Sequence, residues 1–217
     1  MPRVKAKKGQ EQIHGFNFQK IIRALHGLDT VPNHNEAWDM EIGDCAYSIK
    51  TCGPGLPLSS VRAFYEIDRP FTMIVGWHKN YLIHTVAEFD VSLEMLNKIR
   101  GDVPLSYVEQ LYSELSIKNW PEGTHFEARA WAQEQKKILD ERFHCLLTWN
   151  PKIDSKRQRR WQCSLNATKV KNLFPEIEMN NPVYRGFDFS TISNIKLDQK
   201  HIDSLQEQFL NDQKISA

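Results

Sequence analysis

Two carboxylates, a hydroxyl and an amine stand at alternating positions of the segment 39–50, as Asp39, Glu41, Ser48 and Lys50. Carboxylates are the hard oxygen ligands that magnesium prefers, and a nearby ammonium group can orient and acidify a water molecule for attack. This combination predicts metal-assisted hydrolysis of a phosphodiester, with Lys50 positioning the water. The alternative is an ordinary hairpin with one solvated face, because Asp, Glu, Ser and Lys are the residues expected there.

A β-hairpin around Gly43 and Asp44 is the element that must bring these side chains together. Glycine at the first position of a two-residue turn favours a type II′ turn, and pairing outward from it sets Asp39 opposite Ser48. Side chains alternate between the two faces of a strand, so the pairing gives one apolar face and one polar face. The apolar face holds Trp38, Met40, Ile42, Cys45, Tyr47 and Ile49, and the polar face holds Asp39, Glu41, Ser48 and Lys50.

The surroundings of the hairpin distinguish Ser48-Ile49-Lys50 from similar strings elsewhere in the chain. An acidic residue two positions before a lysine also occurs in a helical run, in a polar loop and near the C-terminal helix, at Glu134, Asp154 and Asp198. Only the string at Lys50 lies on a predicted strand opposite an aspartate. Hydrophobic periodicity predicts helix, hairpin, helix and buried strand in succession, with the helices at 10–26 and 58–68 and the strand at 71–77.

This arrangement resembles the core of the PD-(D/E)XK nuclease superfamily, and more particularly of small type II restriction endonucleases. The family core is a helix, a β-meander, a helix and a further strand, which is similar to the order over residues 10–78, about a third of the chain. The resemblance implies a magnesium-dependent, sequence-specific endonuclease of double-stranded DNA that leaves 5′-phosphate and 3′-hydroxyl ends. It implies Asp39 as the motif aspartate and metal ligand, Lys50 as the motif lysine, and the main-chain carbonyl of Ile49 as a further ligand.

The chain departs from the family pattern at Ser48, where the family usually has Glu or Asp, and no proline precedes the motif at Ala37 and Trp38. A second carboxylate would then come from elsewhere. Glu41 shares the polar face of the hairpin. Glu11 lies on the apolar stripe of the first helix, where a glutamate is unusual unless its carboxylate has a partner or a function. It resembles the first-helix glutamate of some family members. Glu11 is also consistent with a favourable first-turn carboxylate, so both candidates stay open.

The segment 148–171 is the strongest local excess of positive charge, because its only acidic residue is Asp154. If residues 157–166 are extended, alternate side chains form one row with base-edge chemistry, since Arg can bind guanine and Gln or Asn can bind adenine. This row consists of Gln158, Arg160, Gln162, Ser164 and Asn166.

Cations flanking this row are expected to bind phosphates, which sets the register on the duplex and adds salt-dependent affinity. They are Lys152, Lys156, Arg157, Lys169 and Lys171. Arg159 belongs to the predicted DNA-binding set as well, although it alternates onto the other row. The alternative is a solvated basic loop followed by an edge strand guarded by Lys and Arg.

The whole chain predicts a single α/β nuclease domain of 217 residues with a mixed central β-sheet flanked by helices. The core is expected at 10–90 and 143–217, with a helical insertion at about 91–142. Further strands are expected at 81–89, 146–150 and 159–167, and a closing helix at 202–210. A restriction-endonuclease-like core is what the resemblance adds to this fold class.

Composition points to a soluble globular protein, with 41% hydrophobic and 25% charged residues and a net charge of +1. The cysteines form no CxxC pair, which predicts reduced thiols, and no apolar run reaches the length of a membrane span. We therefore expect a cytoplasmic protein. The resemblance to restriction endonucleases implies a prokaryotic protein that binds Mg²⁺ and double-stranded DNA, as a homodimer with one site for each strand. A companion DNA methyltransferase is implied by analogy with restriction systems alone.

Two rival functions remain at the level of sequence. One is a structure-specific or repair nuclease of the same superfamily, which would cut according to DNA shape. The other is a DNA-binding protein without catalysis, which Ser48 in place of an acidic residue makes reasonable.

Overall fold

The computed structural model describes residues 10–28, 38–80, 82–191, 204 and 207, and the side chains of all of these except 10–14 and 191. The closing helix predicted at 202–210 lies outside the described residues, apart from residues 204 and 207. The helices and strands of the described residues follow in this order: α1 (Gln10–Leu25), β1 (Met40–Ile42), β2 (Cys45–Cys52), β3 (Gly55–Ser60), α2 (Val61–Tyr65), β4 (Phe71–Lys79), β5 (Leu82–Val91), α3 (Leu93–Arg100), α4 (Leu105–Glu114), α5 (His125–Arg142), β6 (Thr148–Ile153), β7 (Arg159–Asn166), α6 (Ala167–Leu173), β8 (Val183–Tyr184) and β9 (Phe187–Asp188).

A four-stranded mixed sheet forms the first of two compact units, whose described residues are 10–28, 38–53, 70–80, 82–91, 176–191, 204 and 207. The strand order is β1-β2-β4-β5. The β1–β2 and β4–β5 pairs are antiparallel, whereas β2 and β4 run parallel. The predicted α/β class with a mixed sheet is confirmed, and the single nuclease domain stays a prediction.

Helix α1 supplies the main apolar cover of this sheet. Its residues Phe18, Ile22 and Leu25 recur at helical spacing, as predicted, and all three are buried. They share one core cluster with Ile49 of β2 and Ile74 of β4. The apolar stripe therefore fixes α1 against the strand that carries Ser48 and Lys50.

The hairpin has the predicted turn and register. Met40 pairs with Tyr47, and the strands pair outward from a turn in which Gly43 has a φ of 57°. Asp44 does not have a positive φ. A positive φ at the first turn residue alone is what a type II′ turn requires. The regular pairing ends at Met40, because the N–H group of Asp39 donates to the Tyr47 carbonyl at 3.0 Å. Asp39 thus lies at a bend before β1, and not in the regular pair with Ser48 that the sequence predicted.

The second unit comprises Pro54–Arg69 and Ser92–Pro175 and contains a three-stranded antiparallel sheet in the order β3-β7-β6. Helices α3, α4 and α5 confirm the predicted run of helices after residue 91. No helix in the described part of the chain is long and apolar enough to cross a membrane.

Strand β3 corrects the predicted start of the helix at residue 58, because Gly55–Ser60 is a strand. Pro57 suggested a loop, but it lies on an edge strand next to a register shift, and both are places where a strand tolerates proline. The helix begins only at Val61, because the Ser60 hydroxyl accepts the N–H of Ala63 as an N-cap. Since β3 pairs with β7, it does not extend the β1–β2 hairpin into a three-stranded meander.

Gly76 of β4 tests how closely α1 must approach the sheet. A Cβ atom at this position would lie 2.8 Å from the Phe18 ring, so Gly76→Ala should lower the free energy of unfolding by about 1–3 kcal/mol. Gly15→Ala is the matched control: its Cβ would lie 3.5 Å from the Thr51 hydroxyl, and alanine in a helix gains roughly 0.5–1 kcal/mol over glycine. Urea denaturation measures both variants. Equal stability of Gly76→Ala and wild type would contradict this packing.

Candidate functional site

The carboxylate of Asp39 gathers the predicted polar side chains at the beginning of β1. Its Oδ2 atom accepts the Lys50 ammonium at 2.7 Å and the Ser48 hydroxyl at 3.3 Å. The same oxygen accepts the main-chain N–H of Ile49 at 2.7 Å, a group that regular pairing would give to a strand carbonyl. Asp39, Ser48 and Lys50 are therefore brought together, and the aspartate also satisfies the backbone of β2.

Two residues of α1 complete the contacts of Asp39, and neither was predicted from the sequence. The Gln19 amide donates to Asp39 Oδ1 at 3.0 Å, and the Arg23 guanidinium donates to the Asp39 carbonyl at 2.6 Å. Four positions separate the two residues, so they share one side of the helix beside the apolar stripe. That spacing was the available signal, but nothing in it indicated which distant group they bind.

The exposure of the ion pair argues against an ordinary solvated hairpin face. The side chains of Lys50 and Asp39 are only 25% and 22% exposed. Exposed ion pairs contribute about 0–1 kcal/mol and are held loosely. Here the carboxylate is fixed by donors from a helix and a strand, so the geometry of the pair is set by the fold.

Two oxygen atoms of this site are of the kind that magnesium prefers. Among the described residues, Asp39 Oδ1 accepts only the Gln19 amide and so retains a lone pair. The Ile49 carbonyl points to the same side of β2 as its N–H group, which bonds Asp39. Magnesium commonly takes one or two carboxylates and fills its remaining positions with water and substrate phosphates.

The source of a second carboxylate stays open. Glu41 is exposed on β1 and pairs with Ala46, and the side chain of Glu11 lies outside the described residues. Within the described part of the chain, no three His, Cys, Asp or Glu side chains form a group that could hold a metal ion.

Strand β7 shows the alternation predicted for the basic segment. Trp161, Cys163 and Leu165 are buried, whereas Arg160 is exposed and Gln162 is half-buried on the opposite face. From Gln162 to Ser164, β7 lies between β3 and β6, so the alternative of a guarded edge strand does not apply to this part. At Arg159–Trp161, β7 pairs with β6 alone and keeps one open edge. Among the other members of the predicted row, Gln158 and Asn166 are exposed and Ser164 is half-buried.

Arg159 has a structural role in this unit. Its side chain is only 2% exposed, and its guanidinium donates to the carbonyls of Trp120, Pro121 and Asp154. A guanidinium engaged in this way holds the loops together, so Arg159 is not among the residues that we propose to bind DNA.

The flanking cations differ in what they contact. Arg157 pairs with Glu122 at 3.0 Å on the surface, and the Lys169 ammonium donates to the Leu146 carbonyl at 2.8 Å. The remaining predicted phosphate ligands are all exposed: Lys152, Lys156 and Lys171.

Two acceptors within the basic segment bind its own main chain. The Asn166 side chain caps α6 by accepting the N–H of Lys169. Asp154 accepts the N–H groups of Gln158 and Lys156, and the bond from Gln158 is the main cause that lowers the pKa of this carboxyl. The one acid of the segment therefore faces its own loop.

Similarity to known proteins assigns no family or function to this site. Comparisons with protein-family models, with curated proteins and with solved structures gave no match. The chemistry and placement of the side chains are accordingly what carries a functional inference.

Replacing Asp39 tests whether its carboxylate holds the site together. Asp39→Ala leaves the Ile49 N–H and the Lys50 ammonium without their acceptor, so the free energy of unfolding should fall by about 1–3 kcal/mol. Asp39→Asn keeps an acceptor oxygen and should lose less. The exposed Glu141→Ala should stay within about 0.5 kcal/mol of wild type. If Asp39→Ala unfolds in urea like Glu141→Ala, the carboxylate does not organise this region.

Proposed function

We propose that this chain is a magnesium-dependent endonuclease of double-stranded DNA, of the type II restriction kind. The observation that carries the proposal is the contact of Lys50 with Asp39 at 2.7 Å, on a half-buried strand and hairpin held by α1. A lysine and an aspartate fixed in this way supply an ammonium group and a carboxylate at one place.

Each residue has a distinct task in this proposal. Asp39 and the Ile49 carbonyl hold the magnesium ion, which polarises the scissile phosphate when bound. Lys50 orients the attacking water and favours its deprotonated form. Ser48 donates to Asp39 and orients the carboxylate, and Glu11 or Glu41 supplies a second carboxylate if one is needed. The resulting ends carry a 5′-phosphate and a 3′-hydroxyl.

Several features support the restriction kind within this proposal. The order of α1, the hairpin and β4 is similar to the resembled core, and β4 lies parallel to the strand that carries Lys50. The chain departs from that core between the hairpin and β4, where β3 and α2 belong to the second unit. A homodimer would bring one such site to each strand of a duplex with twofold symmetry. The basic segment of the second unit offers cations and amides of the types that bind phosphates and bases.

Lys50→Ala is the variant that tests this function. The purified proteins are incubated with long, sequence-diverse duplex DNA in magnesium or in EDTA. Wild type should give discrete fragments in magnesium alone, and Lys50→Ala should cut slower by about 10²-fold or more, because it lacks the group that positions the water. The matched control is Lys79→Ala, which removes an exposed lysine from the end of β4 and should cut like wild type.

Other outcomes would replace the proposal with a defined rival. DNA that stays intact but is bound equally by all three proteins would indicate a binding protein without catalysis. Cleavage of branched or mismatched DNA in preference to linear duplex would indicate a structure-specific nuclease. Equal cleavage by Lys50→Ala and wild type would contradict the assigned role of Lys50.

A further inference from the structure

The three-stranded sheet of the second unit has one buried apolar face and one polar face, called the open face below. On β6 and β7 this face is exposed at Lys152 and Arg160 and half-buried at Thr148, Asn150, Gln162 and Ser164. The apolar face is buried and includes Trp149, Trp161 and Leu165. The open face carries alternate side chains of β6 and β7, which lie opposite each other in three cross-strand pairs, and none of these side chains is acidic. The pairs are Thr148 with Ser164, Asn150 with Gln162, and Lys152 with Arg160. Of the β6 side chains on this face, the sequence predicted only Lys152 to bind DNA, as a phosphate contact.

Lys152 and Arg160 form a directly opposed pair of like charges. Both side chains are exposed, and neither forms an ion pair with any residue that the structure describes. Like charges directly opposite each other across a sheet destabilise it by several tenths of a kcal/mol or more. An anionic or electron-rich ligand that bridges the two cations would remove this repulsion.

Amide and hydroxyl side chains continue the array beyond the two cations. Asn150 is paired with Gln162, and its amide donates to the Ser164 hydroxyl at 3.2 Å, which places these side chains of the two strands on one face. Successive cross-strand pairs on this face are two residues apart along each strand, which is about 6.8 Å at the antiparallel strand rise. This distance equals two base-pair steps of B-DNA at about 3.4 Å each.

The length of β3 leaves one end of this array two-stranded. β3 pairs with β7 only as far as Gln162, so Lys152 and Arg160 lie on a β6–β7 ribbon beyond the last β3 pair. The major groove is about 12 Å wide and admits a two-stranded ribbon. The loop at the tip of this ribbon carries the exposed Lys156 and Arg157.

We propose that the open face of the β6–β7 ribbon reads base edges in the major groove of duplex DNA. Arg160 and Lys152 bind the O6 and N7 atoms of guanine, and Gln162, at the last pair with β3, binds the N6 and N7 atoms of adenine two steps away. Asn150 is left out of this contact because its amide nitrogen donates to the Thr148 carbonyl and the Ser164 hydroxyl. Lys156 at the tip binds phosphate and sets the register. This inference rests on the proposed function, because it takes duplex DNA as the substrate and names the residues that select its sequence.

The test is a binding selection without cleavage. Short duplexes with a randomised centre are incubated with protein in EDTA, and the bound fraction is sequenced. Wild type should enrich a motif with guanine and adenine two steps apart. Gln162→Ala should lose the adenine preference and Arg160→Ala the guanine preference, each by roughly tenfold or more.

Two further variants separate base reading from general charge. Arg160→Lys keeps the charge but loses the two-pronged contact, so it should restore affinity more than guanine preference. Lys137→Ala removes a 70% exposed lysine of α5 and should leave the motif unchanged. Equal melting temperatures of all variants show that each is folded.

The remaining outcomes overturn the inference and leave the proposed function separately decided. A motif that survives both Gln162→Ala and Arg160→Ala places the reader elsewhere on the protein. Weaker binding of every sequence by Arg160→Ala, without a change of motif, makes the face a phosphate contact only. If wild type binds no duplex in EDTA, the face is not a duplex reader, whereas magnesium-dependent cleavage that needs Lys50 would still establish the nuclease.

Discussion

The carboxylate of Asp39 is the constraint on which the first unit's polar chemistry depends. It accepts donors from α1 and β2 while it lies at the beginning of β1. Removing it would leave a main-chain N–H and an ammonium group without an acceptor in a half-buried place. The protein then loses more stability than it would if both partners of a hydrogen bond were replaced by apolar groups. The positions of Gln19 and Lys50 are therefore coupled through one side chain.

Packing of α1 is what makes this coupling rigid. Phe18 lies directly on Gly76, where even a Cβ atom would be too close, and the rest of the apolar stripe is buried in the same core cluster. Once α1 is held there, Gln19 and Arg23 can reach Asp39 without large motions of the helix. The apolar core thus determines where the polar groups stand, although it takes no part in their chemistry.

The pleat of β7 assigns opposite roles to two neighbouring arginines. Arg159 points to the covered side, where its guanidinium binds the carbonyls of loop residues such as Trp120 and Pro121. Arg160 points to the open face beside Lys152. Charge composition alone counts these residues equally, so a basic segment identifies an interface only after the faces of its strand are known.

Local rules predicted much of the fold and part of the candidate site. The Gly43–Asp44 turn was enough to predict the hairpin register, because a two-residue loop allows little choice. Strands β4 and β5 and the helices after residue 91 followed from hydrophobic periodicity. These features depend on residues close together in the chain.

Features that depend on distant residues could not be predicted in this way. Strand β3 was missed because Pro57 is a loop signal unless its edge position and bulge are known. Gln19 and Arg23 gave no sign of their partner at Asp39, and the opposition of Lys152 to Arg160 requires the register of β6. The short β8–β9 hairpin was missed because Arg185 at its turn has a φ of 48°, which arginine rarely adopts.

The most direct test of the central claim, that Asp39 holds a divalent metal ion beside Lys50, is paramagnetic broadening of amide resonances by Mn²⁺ in place of magnesium. In the presence of a short duplex, Mn²⁺ should broaden the Ile49 and Lys50 amide signals of wild type selectively. The same signals should stay sharp in Asp39→Asn at equal Mn²⁺. Broadening that is unchanged in Asp39→Asn, or that spares this part of β2 in wild type, would contradict the account.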